Sequence, residues 1–257
     1  MLPKTPAETL ASLGFDPQLL EYPFPAETGW CIHCFRVSLR AWDETKWGQP
    51  FKVNCIRDPV TSKRCQRCCH ARHRCELPYE GIRGHGFELQ ALLEWVQEIW
   101  INEESGIGKG EDVGLVHDIE IVNAVAGAVR DLCSALDCLI KSHGKAHSLA
   151  GRHGGDAADM AAYTQYCTHQ HASFQAPSSL GLRSDGTPHP KLVQFEHAAR
   201  QYLRLETQFA LPWYIEVLAL KQTIEALIRE KYDHSDPNIA RWYKDMMAAF
   251  PLAIPLL

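Results

Sequence analysis

The stretch CQRCCHARHRC, residues 65 to 75, decides how the first part of this 257-residue chain folds. It joins one CxxC pair, Cys65 and Cys68, to a further cysteine, Cys75. A second CxxC pair, Cys31 and Cys34, lies upstream. A CxxC turn directs two thiolates at one point, and four thiolates at about 2.3 Å from one ion form a tetrahedral zinc site. The spacing therefore predicts a small, irregular cysteine-rich module with zinc as its core.

The rest of the composition favours metal over disulfides for these thiols. The start, MLPKTPAETLASLGF, lacks the apolar core of a secretory signal, and no run of 18 apolar residues is present to span a membrane. We expect a soluble protein that is neither secreted nor inserted in a membrane. In the reducing nucleus or cytosol, clustered cysteines more often bind metal than pair with one another.

The number of zinc ions depends on how many thiols take part. The two CxxC pairs alone close one four-thiolate site and leave Cys55 and Cys75 without a role. Cys55 precedes the second pair by nine intervening residues, and Cys75 follows it by six. A set of six ligands accounts for both. One zinc ion and two zinc ions are thus the alternatives.

Six cysteines in this order resemble the fungal binuclear zinc cluster, in which six thiolates hold two zinc ions and two of the thiolates bridge. Residues 65–75 match that family's second half, and the loop from Cys55 to Cys65, which contains Pro59, is similar to its variable loop. The resemblance implies that Cys31 and Cys65 bridge two Zn²⁺ ions. It also implies the ligand set Cys31, Cys34, Cys55, Cys65, Cys68 and Cys75.

The first half of the module departs from that family. Its third cysteine would fall at Ala41, whereas this chain supplies Cys55 after twenty intervening residues. Its base-contacting lysine would fall at Ser38. Four histidines are candidates to replace a thiolate, namely His33, His70, His73 and His85. Cys69 is expected to be a spare thiol, because adjacent residues cannot easily point into one tetrahedral site.

Charge divides the chain into a basic module and an acidic remainder. Residues 31–75 contain ten Lys and Arg against three acids, a net charge of +7, whereas the other residues carry −12. A basic module of this kind favours a polyanionic partner, because Lys and Arg contacts to phosphate dominate non-specific nucleic-acid binding. The candidate contacts are Arg36, Arg40, Lys63, Arg64, Arg67, Arg72 and Arg74.

The remainder of the chain predicts helices. Residues 1–30 read as a short helix and a Pro-rich connector, residues 31–80 as the module, and residues 86–257 as a helical bundle with a linker near 176–190. Apolar residues recur at three and four positions from Leu89 to Trp100 and from Val113 to Ser142. Gly144 is predicted to stop the second of these helices. The predicted fold class is therefore mainly α.

The segment 191–232 has a heptad-like spacing that includes Trp213, Val217, Leu220 and Ile224. A coiled-coil homodimer is one interpretation, and packing within the chain is the favoured one. Pro212 should break or kink this helix, because proline cannot donate the helical hydrogen bond.

No catalytic motif stands out, since the chain has neither HExxH nor GxSxG and its glycine-rich turn at residues 106–110 follows no strand. Another histidine-rich run is a second candidate metal site or an exposed loop: His143, His147, His153, Cys167, His169 and His171. We expect a non-enzymatic nuclear protein, similar to fungal zinc-cluster transcriptional regulators, that binds DNA through its basic module. The alternative is a nuclear or cytoplasmic scaffold in which zinc is structural, the helices bind a protein partner and no nucleic acid is bound.

Overall fold

The computed structural model describes residues 24–25, 30–42, 48–57, 64–100, 119–149, 156–173, 185–187, 205 and 207–251. The predicted N-terminal helix and most of the predicted linker lie outside these residues. The described part of the chain holds seven α-helices and one two-stranded sheet, which confirms the predicted, mainly α fold class. It divides into two units, residues 1–43 with 52–78 and residues 44–51 with 79–257.

The first unit contains the cysteine-rich module. Its elements are the helices α1 (Ile32–Ala41) and α2 (Gln66–His70) and the strands β1 (Phe24–Pro25) and β2 (Ile56–Arg57). The strands pair antiparallel, with Phe24 opposite Arg57. Helix α2 contacts both α1 and β2. These contacts bring both CxxC segments and the strand that follows Cys55 together.

Aromatic side chains give this unit a small apolar core. Trp30 stacks on Phe35 with ring centroids 4.7 Å apart, and both are buried, as is Trp42. The Ile32 amide donates to the Glu76 carbonyl at 2.9 Å, which ties the end of the module to its beginning. The sequence-based view of metal as the core of this unit is thus incomplete, because burying an aromatic side chain also stabilises it.

The regular elements described in the second unit are all helices. Its helices are α3 (Arg83–Val96), α4 (Ile119–Ala146), α5 (Ala157–Ser173), α6 (Thr207–Lys231) and α7 (Pro237–Ala248). Two 3₁₀ turns flank α3, at Glu80–Ile82 and Gln97–Trp100. None of the helices in the described ranges is both long and apolar enough to cross a lipid bilayer.

Packing of α4 along α6 forms the largest helix contact of this unit. Each helix buries one face at the helical spacing of three and four residues, as the periodicity predicted. The buried side chains include Val125, Val129, Leu132 and Leu136 on α4, and Trp213, Val217, Leu220 and Ile224 on α6. These four heptad-like positions of α6 are therefore used in packing within the chain, whereas Phe209, a fifth, is exposed.

The predicted helix stop at Gly144 is wrong, and the break predicted at Pro212 is not seen. Helix α4 continues through Gly144 to Ala146, and a β-carbon at Gly144 would lie 2.7 Å from Tyr79 Cε2. This glycine permits a close approach of the Tyr79 ring, which the local sequence does not reveal. Helix α6 contains Pro212, so the predicted break at that residue is not seen. Pro212 has no N–H to donate to the Gln208 carbonyl, so the helix lacks one hydrogen bond there.

Candidate metal centre

Six cysteine sulfurs meet in the first unit and form two overlapping groups of four. The first group is Cys31, Cys34, Cys55 and Cys65, and the second is Cys31, Cys65, Cys68 and Cys75. Within each group the Sγ atoms all lie within 4.8 Å of one another. Cys31 and Cys65 belong to both groups. The structure thus brings together all six cysteines that were predicted as ligands.

The distances between sulfurs suit a tetrahedral ion. Cys31 Sγ lies 3.6 Å from Cys65 Sγ and 3.5 Å from Cys68 Sγ, and Cys34 Sγ lies 3.4 Å from Cys65 Sγ. Zinc–sulfur bonds of about 2.3 Å place tetrahedral sulfurs about 3.8 Å apart. The thiolates need to separate by only a few tenths of an ångström to hold an ion. All ten cysteines of the chain are free thiols, so no disulfide competes for these ligands.

Both CxxC pairs occupy the first turn of a helix. Cys31 is the N-cap of α1, and its sulfur accepts a hydrogen bond from the Cys34 amide at 3.3 Å. Cys65 is the N-cap of α2, with Cys68 three residues further on. The unpaired amides and positive dipole of a helix N-terminus favour thiolates there. Both sulfurs of each CxxC pair therefore lie at the N-terminus of a helix.

The two ligands outside the CxxC pairs are held by backbone amides. The Cys31 amide donates to Cys55 Sγ at 3.5 Å, and the Cys65 amide donates to Cys75 Sγ at 3.3 Å. Hydrogen bonds of this kind orient metal-bound thiolates and disperse their charge. Cys55 and Cys75 are thus tied to the residues that cap α1 and α2.

A left-handed turn at the end of α2 returns the chain toward Cys75. Arg72 has φ 52°, its amide donates to the Cys69 carbonyl at 3.2 Å, and the His73 amide donates to the Cys68 carbonyl at 2.9 Å. This is the Schellman pattern of helix termination, in which glycine usually occupies the left-handed position. An arginine in that conformation costs about 1 kcal/mol, and the surrounding hydrogen bonds hold it there.

The thiols of the cluster ionise unequally. Hydrogen bonds with Cys31 and Cys34 lower the pKa of Cys65, and those with the same two residues lower the pKa of Cys55 to about 7. Burial raises the pKa of Cys68 to about 12. A metal ion must displace protons from the less acidic thiols, so metal binding is coupled to proton release.

Histidines are not part of the centre. None of the four candidates belongs to either group of ligands, and neither does Cys69. The rings of His33 and His73 are tilted by 39° to each other, with centroids 4.5 Å apart. His85 lies in the second unit, where its Nδ1 hydrogen-bonds to Glu88 at 2.8 Å. The two groups therefore offer thiolates alone.

Ala41 and Ser38 are the two positions at which the sequence departs from the zinc-cluster pattern. Ala41 is exposed, and Cys55 joins the first group in place of a cysteine at that position. Ser38 is buried and accepts a hydrogen bond from the Asn54 amide at 3.0 Å. Ser38 thus anchors the inserted segment to α1 and does not point out to a base.

Two of the predicted basic residues act electrostatically on His33. Burial, His73, Arg67 and Arg40 lower the pKa of His33, and Cys65 acts in the opposite direction. Arg74 is instead paired with Glu76 at 2.9 Å. Arg36, Arg64 and Arg72 lie in the same unit, and Lys63 falls outside the described residues.

The second candidate metal site is not assembled in the described residues, where the two cysteine groups are the sets with ligand spacing. Tyr163 Oη accepts a hydrogen bond from the Gly81 amide at 2.8 Å and lies 3.1 Å from His143 Nε2. Burial lowers the pKa of His143 to about 4. His143 is thus a neutral core residue. Cys133 and Cys167 are buried thiols, and His153 lies outside the described residues.

Sequence reasoning missed one residue of the centre. Arg57 was counted only as part of the positive charge, yet its Nη2 lies 3.7 Å from Cys75 Sγ. Its position two residues after Cys55 was the available signal. The contact with Cys75, eighteen residues away, depends on the fold.

Comparison of the chain with protein-family models, with curated proteins and with solved structures finds no match. The resemblance to zinc-cluster proteins therefore rests on the cysteines themselves.

Proposed function

We propose that the six thiolates hold two zinc ions in a binuclear cluster of the fungal type, with Cys31 and Cys65 as bridges. The observation that carries this proposal is the sharing of these two sulfurs by both groups of four. Two separate four-thiolate sites would need eight cysteines. A single four-thiolate site would leave two of the six cysteines without a metal ion to bind. Six thiolates with two shared satisfy two tetrahedral ions.

The ligand chemistry favours zinc in a structural role. Thiolates are soft ligands, and a tetrahedral four-sulfur set suits zinc or an iron–sulfur centre rather than magnesium or calcium. A zinc ion with four protein ligands has no open position for water or substrate. The ions supply cross-links between α1, α2 and the strand after Cys55, and the proposed function is not enzymatic.

A set of serine variants tests the shared ligands. Cys65→Ser removes a ligand from both groups and should lower the zinc content of the reduced protein from two ions to none or one weakly held ion. Cys34→Ser affects the first group alone and should leave one. Cys69→Ser is the matched control, because Cys69 belongs to neither group, and it should leave two. Equal zinc content in all three variants would refute the shared-ligand arrangement.

We further propose that the module binds nucleic acid, in the nucleus and as part of a transcriptional regulator. The support is electrostatic. The module carries +7, and Arg40 and Arg67 both act on His33. Such side chains contact phosphates and position a protein on a duplex without reading its sequence. The predicted activity is therefore salt-dependent binding to DNA.

Binding of the zinc-loaded full chain to a random-sequence DNA duplex tests this activity. Each phosphate contact contributes about −0.9 to the slope of log affinity against log salt. A variant with Arg40→Gln and Arg67→Gln should lose two contacts and reduce the slope by about 1.8. A control with Arg229→Gln and Arg241→Gln removes two exposed arginines from the second unit and should leave the slope unchanged.

The scaffold function remains the second candidate because of one surface of α6. Leu211, Ile215 and Leu218 are 38% to 53% exposed and lie on one face of that helix, away from its buried residues. Exposed apolar side chains at this spacing are typical of surfaces that bind a partner helix. Zinc-loaded protein that binds no DNA at low salt would favour this alternative.

A further inference from the structure

Arg57 is the cation that approaches the cysteine cluster most directly among the described contacts. Its Nη2 donates to Cys75 Sγ at 3.7 Å, and it also hydrogen-bonds to Cys55. Cys55 belongs only to the first group of ligands and Cys75 only to the second. The guanidinium therefore touches a non-shared thiol of each group.

The backbone of Arg57 is fixed at this position. Arg57 lies in β2, where it pairs with Phe24 of β1. The side chain is half-buried, and its Nε is buried with no hydrogen-bond partner within the described part of the chain. A guanidinium stays charged when it is partly buried. The sulfur atoms of Cys75 and Cys55 are the groups that face this charge inside the module.

A cation at this position would compensate the negative charge of a metal-loaded cluster. Six thiolates and two zinc ions together carry a charge of about −2, which is costly in a partly buried site unless it is compensated. Of the six sulfur ligands, five belong to buried residues and Cys75 to a half-buried one. Protons and competing chelators therefore have their easiest access at Cys75, beside Arg57.

We propose that Arg57 is a positioning residue of the metal centre, whose guanidinium compensates the charge of the thiolates and shields Cys75, and thereby slows loss of metal. This inference rests on the proposed binuclear centre. Removing the cation should raise the basicity of Cys55 and Cys75 and open a path to the second ion. Partners of this kind typically change metal affinity by about 10- to 100-fold.

Metal release from the full chain tests the inference. Wild type, Arg57→Gln and Arg57→Lys are loaded with zinc, and transfer to a chromogenic chelator is followed over time. Release from Arg57→Gln should be about tenfold faster than from wild type. Lys52→Gln removes one positive charge from an exposed position of the same unit and is the matched control, with release within about twofold of wild type.

A pH titration separates a charge effect from a loss of packing. The cobalt-substituted Arg57→Gln protein should lose its sulfur-to-metal absorption at a higher pH than wild type, because protons compete better for more basic thiolates. Arg57→Lys keeps the charge and should lie between the two. If Arg57→Gln takes up no metal, the release rate and pH midpoint of Arg57→Lys are compared with those of wild type, and a difference in either supports the inference.

If both Arg57 variants release zinc at the wild-type rate and have the wild-type pH midpoint, this inference is wrong, but the proposed binuclear centre is unaffected. Wild-type protein that binds no metal would overturn the proposed function itself.

Discussion

Acid should weaken the helical unit through His143. This side chain is 5% exposed at the end of α4, and burial, with His147 and His85 nearby, lowers its pKa to about 4. His143 Nε2 lies 3.1 Å from Tyr163 Oη, which accepts a hydrogen bond from the Gly81 amide. Protonation of His143 would place a charge in this buried site, which is costly.

The size of the effect follows from the two pKa values of His143. Its pKa is about 6.5 in the unfolded chain and about 4 in the folded one. Above pH 6.5 the ring is neutral in both states and the stability is fully present. As the pH falls below 6.5 the unfolded chain gains a proton that the folded chain does not, and the loss is complete only below about pH 4. Between pH 8 and pH 5 this costs about 2 kcal/mol of unfolding free energy.

Urea unfolding followed by circular dichroism at 222 nm measures this loss, with a chelator present at every pH so that metal release does not contribute. The unfolding free energy of His143→Gln should fall by about 2 kcal/mol less than that of wild type between pH 8 and pH 5. His169→Gln replaces an exposed histidine on α5 and is the control. If the unfolding free energy of His143→Gln falls between pH 8 and pH 5 by as much as that of wild type, the reasoning is refuted.

Two further predictions concern close packing at the same end of α4. Gly144→Ala should destabilise by about 1–3 kcal/mol in urea unfolding, because its β-carbon would lie 2.7 Å from the Tyr79 ring. Gly127→Ala, in the same helix with nothing within 4 Å, should instead stabilise by about 0.5–1 kcal/mol, and equal effects at both glycines would contradict this packing. Tyr163→Phe should destabilise by about 1–3 kcal/mol because it leaves a buried amide without its acceptor, and an unchanged urea midpoint would argue against that hydrogen bond.

Local sequence was enough to predict what depends on local spacing. The period of Leu89, Leu92 and Val96 predicted α3, because a helix in a core must bury one face. The CxxC pairs likewise predicted their own geometry, since three-residue separation places both sulfurs at the first turn of a helix. These features needed no knowledge of distant residues.

Features set by distant contacts were not predictable in the same way. Gly144 has the local signature of a helix stop, yet the helix continues, and the close contact with Tyr79 is what leaves no room for a side chain at this position. Cys55 follows a long insertion whose path the spacing does not determine. Ser38 anchors that insertion through the Asn54 amide, and no motif marks that hydrogen bond. In each case the partner lies more than ten residues away along the chain.

Native mass spectrometry of the reduced, zinc-loaded full chain tests the central claim most directly. The sharing of Cys31 and Cys65 by two groups of four sulfurs predicts two zinc ions for each chain. A chain that retains one ion, or none, would contradict the binuclear centre.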